Sequence, residues 1–316
     1  MVSLTQRLID EAGYVTKGGR LLQHFMTSRP FLCNWQITYR CNFNCSICSF
    51  WSECHSPSDE LTLEQVKLVA DRLRPLGPLV ISMAGGEPLI RKDLPEIASV
   101  LSKDHFFTLI TNGWFLTPEL AGRLYESGLQ DIHVSVDYAN PDRHDGMRRC
   151  KGAFDRAIKA VETLRDTRPD RRHRVHLMAV LLDDNAEEIE PLLNLAEQLG
   201  VSFELSLYSH RRGQKPVRMP SKPVADHLVE LKKKHPTTFV SMSDYLAAFD
   251  EAIGNQGRMP ECRGGTTFFN IDDRGRVARC IDTNEQPVAC LLENDVETVL
   301  ARLRTQCKAD PCGECW

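Results

Sequence analysis

Residues 41–50, CNFNCSICSF, set Cys41, Cys45 and Cys48 in a C-x3-C-x2-C arrangement directly after the apolar run NWQITYR. Three thiolates are one short of a closed tetrahedral site. Either a distant residue such as Cys54 or His55 completes a structural zinc, or the three hold a [4Fe-4S] cluster whose fourth iron is left open. A second set lies towards the C-terminus. Cys262 and Cys280 bracket Gly275 as C-x12-G-x4-C, and Cys312 and Cys315 form C-x2-C. Four thiolates from a hairpin and a tail leave no open position, whether they hold zinc, as in four-cysteine ribbons, or a second cluster.

The elements that must position these groups can be read from periodicity. Strand-like runs at residues 35–39, 79–84, 106–111, 131–136, 174–181 and 201–208 alternate with amphipathic helical stretches. In one of these, Leu63, Val66, Val69, Leu73 and Leu76 share a face. A chain of βα units predicts an α/β fold with a parallel sheet. Six units are too few for a complete eight-fold barrel. The first cysteine loop then sits at the C-terminal end of the first strand, where α/β folds gather their active sites. After Tyr208 the pattern changes to a basic, Pro-rich loop with Arg211, Arg212, Lys215 and Arg218. A helix follows, then a hairpin whose Asp273-Arg274-Gly275 suits a tight turn, and one last amphipathic helix. The expected divisions are an N-terminal helical extension (1–32), a barrel (33–220), a linker with a helix (221–259) and a small metal-stapled domain (260–316).

Composition narrows the classes. The 316 residues carry 39 Lys+Arg against 43 Asp+Glu, a formal charge of -4, which offers no general attraction for nucleic acid or an anionic membrane. No run of 18 apolar residues predicts a spanning helix, and the first residues lack the apolar core of a secretory signal. A cytoplasmic location is expected, and in a reducing compartment twelve cysteines read as metal ligands or catalytic thiols rather than disulfides.

The cysteine loop, with GGEP (Gly85, Gly86, Glu87, Pro88), TNG (from Thr111 and Asn112) and SVD (Ser135 to Asp137) at successive strand ends, resembles the radical S-adenosylmethionine superfamily. That resemblance runs from about Trp35 to Tyr208 and implies a partial (βα)6 barrel. It implies that Cys41, Cys45 and Cys48 ligate a [4Fe-4S] cluster and that GGEP meets the amino group of S-adenosylmethionine. It further implies that Ser135 and Asp137 contact the ribose or carboxylate of the cofactor, and that Arg148 contacts its carboxylate. Ile47 stands where the superfamily usually has an aromatic residue, which leaves a backbone contact to adenine as its role. The chemistry implied is reductive cleavage of the cofactor and hydrogen abstraction from carbon, with orientation and exclusion of water left to the protein. A flavodoxin or ferredoxin is the implied reductant.

The second cysteine set is similar to the SPASM and twitch auxiliary-cluster domains, and its length suits the shorter twitch form with one further [4Fe-4S] cluster. Cys262, Cys280, Cys312 and Cys315 are then its ligands, with Cys307 a replacement for one of them. A saturated cluster suits electron transfer, so the first expectation is net oxidation of a small molecule, as in dehydrogenation of an alcohol. The alternatives are radical modification of a peptide or lipid, and a non-catalytic iron-sulfur or zinc protein. Cys150, after the fourth strand, is a candidate hydrogen donor to a substrate radical. The stretch before the cysteine motif reads first as a pair of helices capping the barrel, and second as an amphipathic element touching a membrane surface. It is shorter than the winged-helix domain that peptide-modifying relatives place there, which counts against a leader-bearing peptide.

Overall fold

In the computed structural model, residues 4–27, 29–53, 55–209, 218–255 and 262–309 are described. After helix α1 (Leu4–Met26), strand β1 (Leu32–Thr38) leads into the cysteine loop. Five further βα units follow: α2 (Leu63–Leu73), β2 (Val80–Gly85), α3 (Leu94–Leu101), β3 (Phe106–Thr111), α4 (Pro118–Glu126), β4 (Leu129–Ser135), α5 (Pro141–Arg148), α6 (Ala153–Thr167), β5 (Arg174–Leu181), α7 (Ile189–Leu199) and β6 (Ser202–Leu207). The six expected strands are all present, shifted by at most three residues at an end. Helix starts follow local chemistry. Thr62 and Gln65 form a capping box at α2, while Thr117-Pro118 and Asn140-Pro141 open α4 and α5.

Strands β1 to β6 are parallel and lie in chain order. The C-terminal part contributes α8 (Ala225–Lys234), α9 (Ser243–Ala247), α10 (Phe249–Gly254), β7 (Phe268–Ile271), β8 (Arg276–Ala278), β9 (Ala289–Cys290) and α11 (Val296–Ala309). Its strands extend the same sheet: β7 pairs parallel with β1, and β8 and β9 follow antiparallel, giving the order β6-β5-β4-β3-β2-β1-β7-β8-β9. The hairpin expected around Asp273-Arg274-Gly275 is the β7–β8 turn, with Gly275 at φ 76°.

Alternation along the strands divides the two faces of this sheet. Trp35, Ile81, Met83, Phe107, Leu109, Val134, Leu177 and Phe203 are fully buried in the core, each contributing about 1.5–3 kcal/mol of burial. The opposite face carries a row of polar residues. Asn270, Asn34, Ser82, Thr108, Asp131 and Arg174 lie in one register row across six strands. Nearby, His133 and His176 stack at 4.6 Å, and His133 Nδ1 lies 2.8 Å from the Glu204 carboxylate. The inner layers of a complete eight-fold barrel are filled by branched apolar side chains. Here the inner face is a hydrogen-bonding surface beneath the strand ends.

The N-terminal segment is one helix rather than the expected pair. Gly18 and Gly19 have open space around them, where a helical glycine costs only about 1 kcal/mol. Helix α1 packs at the N-terminal ends of the strands, with the Tyr14 ring edge-on to Phe106 at 5.3 Å and Lys17 Nζ donating to Ser102 O at 3.0 Å. Among the described residues no helix is long and apolar enough to cross a membrane, and no cysteine is disulfide-bonded.

Candidate active site

The C-terminal ends of β1 to β6 surround a cavity of about 380 Å³. The cysteine loop forms one wall, with Cys41, Cys45 and Cys48 all lining the cavity. The loop is held from every side: Ser46 N–H donates to Met147 O (2.9 Å), Asn112 Nδ2 to Asn42 Oδ1 (2.9 Å) and Trp51 Nε1 to Cys48 O (2.8 Å). Burial pushes the Cys41 thiol up to about 12, with Glu87, Cys45 and Cys48 adding to the effect against a hydrogen bond from Phe43 N–H. Burial also raises Cys45, against the pull of Arg148. The three sulfurs therefore share one electrostatic neighbourhood. Among the described residues no three His, Cys, Asp or Glu side chains converge on a single-ion site. Three soft donors spread along a cavity wall are the donor set an iron-sulfur cluster takes, and ligation would displace their protons.

Glu87 is fully buried and is the hub of the second wall. Its carboxylate accepts from Thr111 Oγ1 (2.6 Å), Asn112 N–H (2.7 Å) and Leu89 N–H (3.0 Å), while burial raises its pKa. GGEP and TNG, read from sequence as separate contacts, thus form one unit across β2 and β3. Gly85 and Gly86 are required by a close approach to β1. A Cβ on either would lie 2.1 Å from a carbonyl oxygen, that of Thr38 or Arg40, and Gly85 has φ 144°. Pro88 is buried in the turn that follows.

At the end of β4, Asp137 pairs with Arg148 Nη2 and accepts Val180 N–H at 2.9 Å. Burial pushes His144 down to about 4, so its neutral ring accepts the Asp137 N–H at 3.2 Å. Burial works against the Arg148 charge, but Asp137 and Cys45 more than offset it and hold the guanidinium above its ordinary value. Arg148 Nη1 lies 4.0 Å from Cys45 Sγ, and Arg148 Nε is buried with no hydrogen-bond partner among the described residues. That orphan donor, with the glycine-lined strand end, fits a site built around a further group.

Ile47, Gly85, Gly86, Glu87, Thr111, Asn112, Ser135, Asp137 and Arg148 all line the cavity. Cys150 does not; it packs against the Phe43 cluster, with Sγ 3.9 Å from Lys151 O. Arg218 is ion-paired with Asp183 (2.6 Å) and Asp184 (2.8 Å), and the other basic-loop residues lie outside the described ones. Sequence reading missed Met178, Val180, Ser206 and Tyr208, which also line the cavity. Period-two alternation from the strand ends could have found them. It also missed Phe50 and Trp51, aromatic residues beside the non-aromatic Ile47. Ile281 and Asp282 of the C-terminal part close the cavity, and Ser209 Oγ donates to Asp282 at 3.2 Å. No sequence signal marks them.

Of the second cysteine set, Cys262 and Cys280 are among the described residues. Cys280 is buried at the end of β8, and Cys262 Sγ accepts Gly264 N–H at 3.4 Å. Cys312 and Cys315 lie outside the described residues.

Comparison with known proteins agrees with this geometry. The radical SAM superfamily profile matches residues 35–196, slightly more than half of the chain. The AdoMet-dependent heme synthase of Methanosarcina barkeri is 36% identical over 176 residues, covering 55% of this chain and 49% of that protein. The mycofactocin maturase MftC of Mycolicibacterium smegmatis is 30% identical over 191 residues, covering 59% and 47%. The chain thus spans about half the length of these curated relatives. In fold it matches Streptococcus suis SuiB bound to the precursor peptide SuiA, with a TM-score of 0.70 at 18% identity over 90% of this chain and 67% of SuiB.

Proposed function

Because the chain belongs to the radical SAM superfamily, and is therefore an enzyme of S-adenosylmethionine and a [4Fe-4S] cluster, we propose that it modifies a peptide at the cavity beside Cys41, Cys45 and Cys48. When bound, the cluster and S-adenosylmethionine supply one-electron chemistry able to remove hydrogen from an unactivated carbon. The rest is done by residues of this chain. The three thiolates would hold the cluster. Arg148, steered by Asp137, lines the cavity and would meet the cofactor's carboxylate. Phe50, Trp51, Tyr208 and Ile281 wall the cavity against water.

The charge of the cavity supports a peptide. Arg148 is the only cation among its described lining residues and is already paired with Asp137, while Asp282 adds an acidic group. A net acidic wall complements a substrate rich in amide and amine donors rather than one rich in carboxylates. The maturase relative and the peptide-bound SuiB fold point the same way. Small-molecule dehydrogenation, the first expectation from sequence, draws no such support. A tetrapyrrole is the second reading, favoured by the identity to the heme synthase. In this reading Cys262, Cys280 and the terminal cysteines hold an auxiliary cluster, and a flavodoxin or ferredoxin delivers the electron.

Deuterium transfer tests the proposal. The reconstituted, reduced enzyme is given S-adenosylmethionine and size-fractionated extract of perdeuterated cells, and 5′-deoxyadenosine is analysed by mass spectrometry. Deuterium arriving from the peptide fraction, and lost after protease treatment of that fraction, is the expected result. Deuterium arriving only from the small-molecule or tetrapyrrole fraction overturns it.

A further inference from the structure

Cys307 belongs to the last turn of α11 and was named from sequence only as a replacement for one of the four expected ligands. An isolated, partly buried cysteine is ordinarily a small hydrophobe, and three observations set this one apart. Its Sγ lies 3.3 Å from Gly264 O, while Cys262 Sγ accepts the N–H of the same Gly264 at 3.4 Å, so two sulfurs flank one residue. A Cβ on the next residue, Gly265, would lie 2.6 Å from the Cys307 sulfur, and Gly265 has φ 83°, so the thiol sits against the backbone in space that only glycine leaves free. Third, Arg279 Nη2, next to Cys280, donates to Gln306 O, next to Cys307, at 3.2 Å, and the Arg279 side chain also packs on Gly264 and Gly265. Three cysteine-bearing segments, distant in sequence, are thus pinned to one two-glycine turn.

We infer that Cys307 is a ligand of the auxiliary iron-sulfur cluster together with Cys262 and Cys280, which leaves a single place for the terminal Cys312–Cys315 pair. The inference rests on the auxiliary-cluster reading given above. As a thiol, Cys307 donates to the Gly264 carbonyl. On binding iron it loses that proton to solvent and turns off the carbonyl, as every cysteine ligand must be deprotonated. The Gly264 N–H that Cys262 accepts is the kind of outer hydrogen bond that sets the potential of a cluster. The terminal Cys-x2-Cys then contributes one ligand, and its other thiol is dispensable.

The test uses the full chain, reconstituted anaerobically with iron and sulfide, in a background where Cys41, Cys45 and Cys48 are all replaced by alanine. That background should hold about four irons per chain, those of the auxiliary cluster alone. Adding Cys307→Ala should lower the iron content at least fourfold, with a loss of the reduced-state electron paramagnetic resonance signal. Cys307→Ser should keep iron but shift that signal, because oxygen replaces sulfur at one iron. Cys290→Ala should change neither, since its Sγ faces Arg274 O, 3.7 Å away, rather than the glycine turn. An unchanged signal and iron content in both Cys307 variants overturns the inference while sparing the auxiliary cluster. A background that holds no iron overturns both. Circular dichroism of each variant separates lost ligation from lost folding, and Cys307→Ser decides the case if Cys307→Ala does not fold.

Discussion

The two cysteine regions differ in what surrounds them more than in what they are made of. Cys41, Cys45 and Cys48 stand on a loop at the ends of parallel strands, beside a cavity of about 380 Å³ that also receives Glu87, Asp137 and Arg148. Cys262 and Cys307 flank the Gly264–Gly265 turn, with their sulfurs against its backbone, and Cys280 is buried just after β8. Thiolate ligands alone do not decide whether a site does chemistry; room for a further group beside them does. The two regions are also tied together. The β7–β8 turn docks on the segment after the first cysteine loop through His55 Nδ1 to Asp273 (2.6 Å), Arg274 to Asp59 (3.1 Å) and Leu61 N–H to Asp273 O (2.7 Å).

The largest test of this division is ligand removal. Cys45→Ala should abolish formation of 5′-deoxyadenosine and remove about four irons per chain. Cys262→Ala should remove a similar number yet leave cofactor cleavage measurable without product. If both variants lose cleavage equally, the two regions do not divide the work. Next in size is the buried ion pair. Arg148→Met leaves Asp137, 1% exposed, without its partner and should cost about 3–5 kcal/mol in urea unfolding, part of it recovered in the double variant with Asp137→Asn. Gly85→Ala follows. A Cβ 2.1 Å from Thr38 O at φ 144° should cost about 1–3 kcal/mol or more and weaken S-adenosylmethionine binding, measured by calorimetry.

The smallest effect concerns the tie between regions. Burial pushes Asp273 up to about 6 from an ordinary 3.8, against the pull of His55. Between those values the folded state binds more protons than the unfolded one, so this group's contribution to stability falls as pH rises from about 4 to about 6. Asp273→Asn should flatten that limb in thermal melts between about pH 4 and pH 6. An unchanged slope would show that the carboxylate does not carry it.

Some of this was legible before any coordinates. The six strands could be read because short apolar runs of period two stand between helices with strong caps such as Thr62-Gln65, and such signals depend only on neighbours in the chain. The triad Cys41, Cys45 and Cys48 was legible for the same reason, its spacing being local. Less was legible where contacts span the chain. Glu87 was expected to face a cofactor, and its partnership with Thr111 and Asn112 appears only when β2 and β3 lie side by side. The N-terminal segment is one helix rather than the expected pair, since an exposed helix tolerates the adjacent Gly18 and Gly19.

By itself, then, the amino-acid order determined the βα alternation, the cysteine loop and the glycines that let β2 run against β1. Each of these is a matter of near neighbours and of backbone geometry. Tertiary structure alone decided that β7 pairs with β1, that Ile281 and Asp282 close the cavity, and that Cys307 comes to rest beside Gly264 and Gly265. These contacts join segments far apart in the chain. Their free energy comes from burial shared across the whole sheet, which no local pattern encodes.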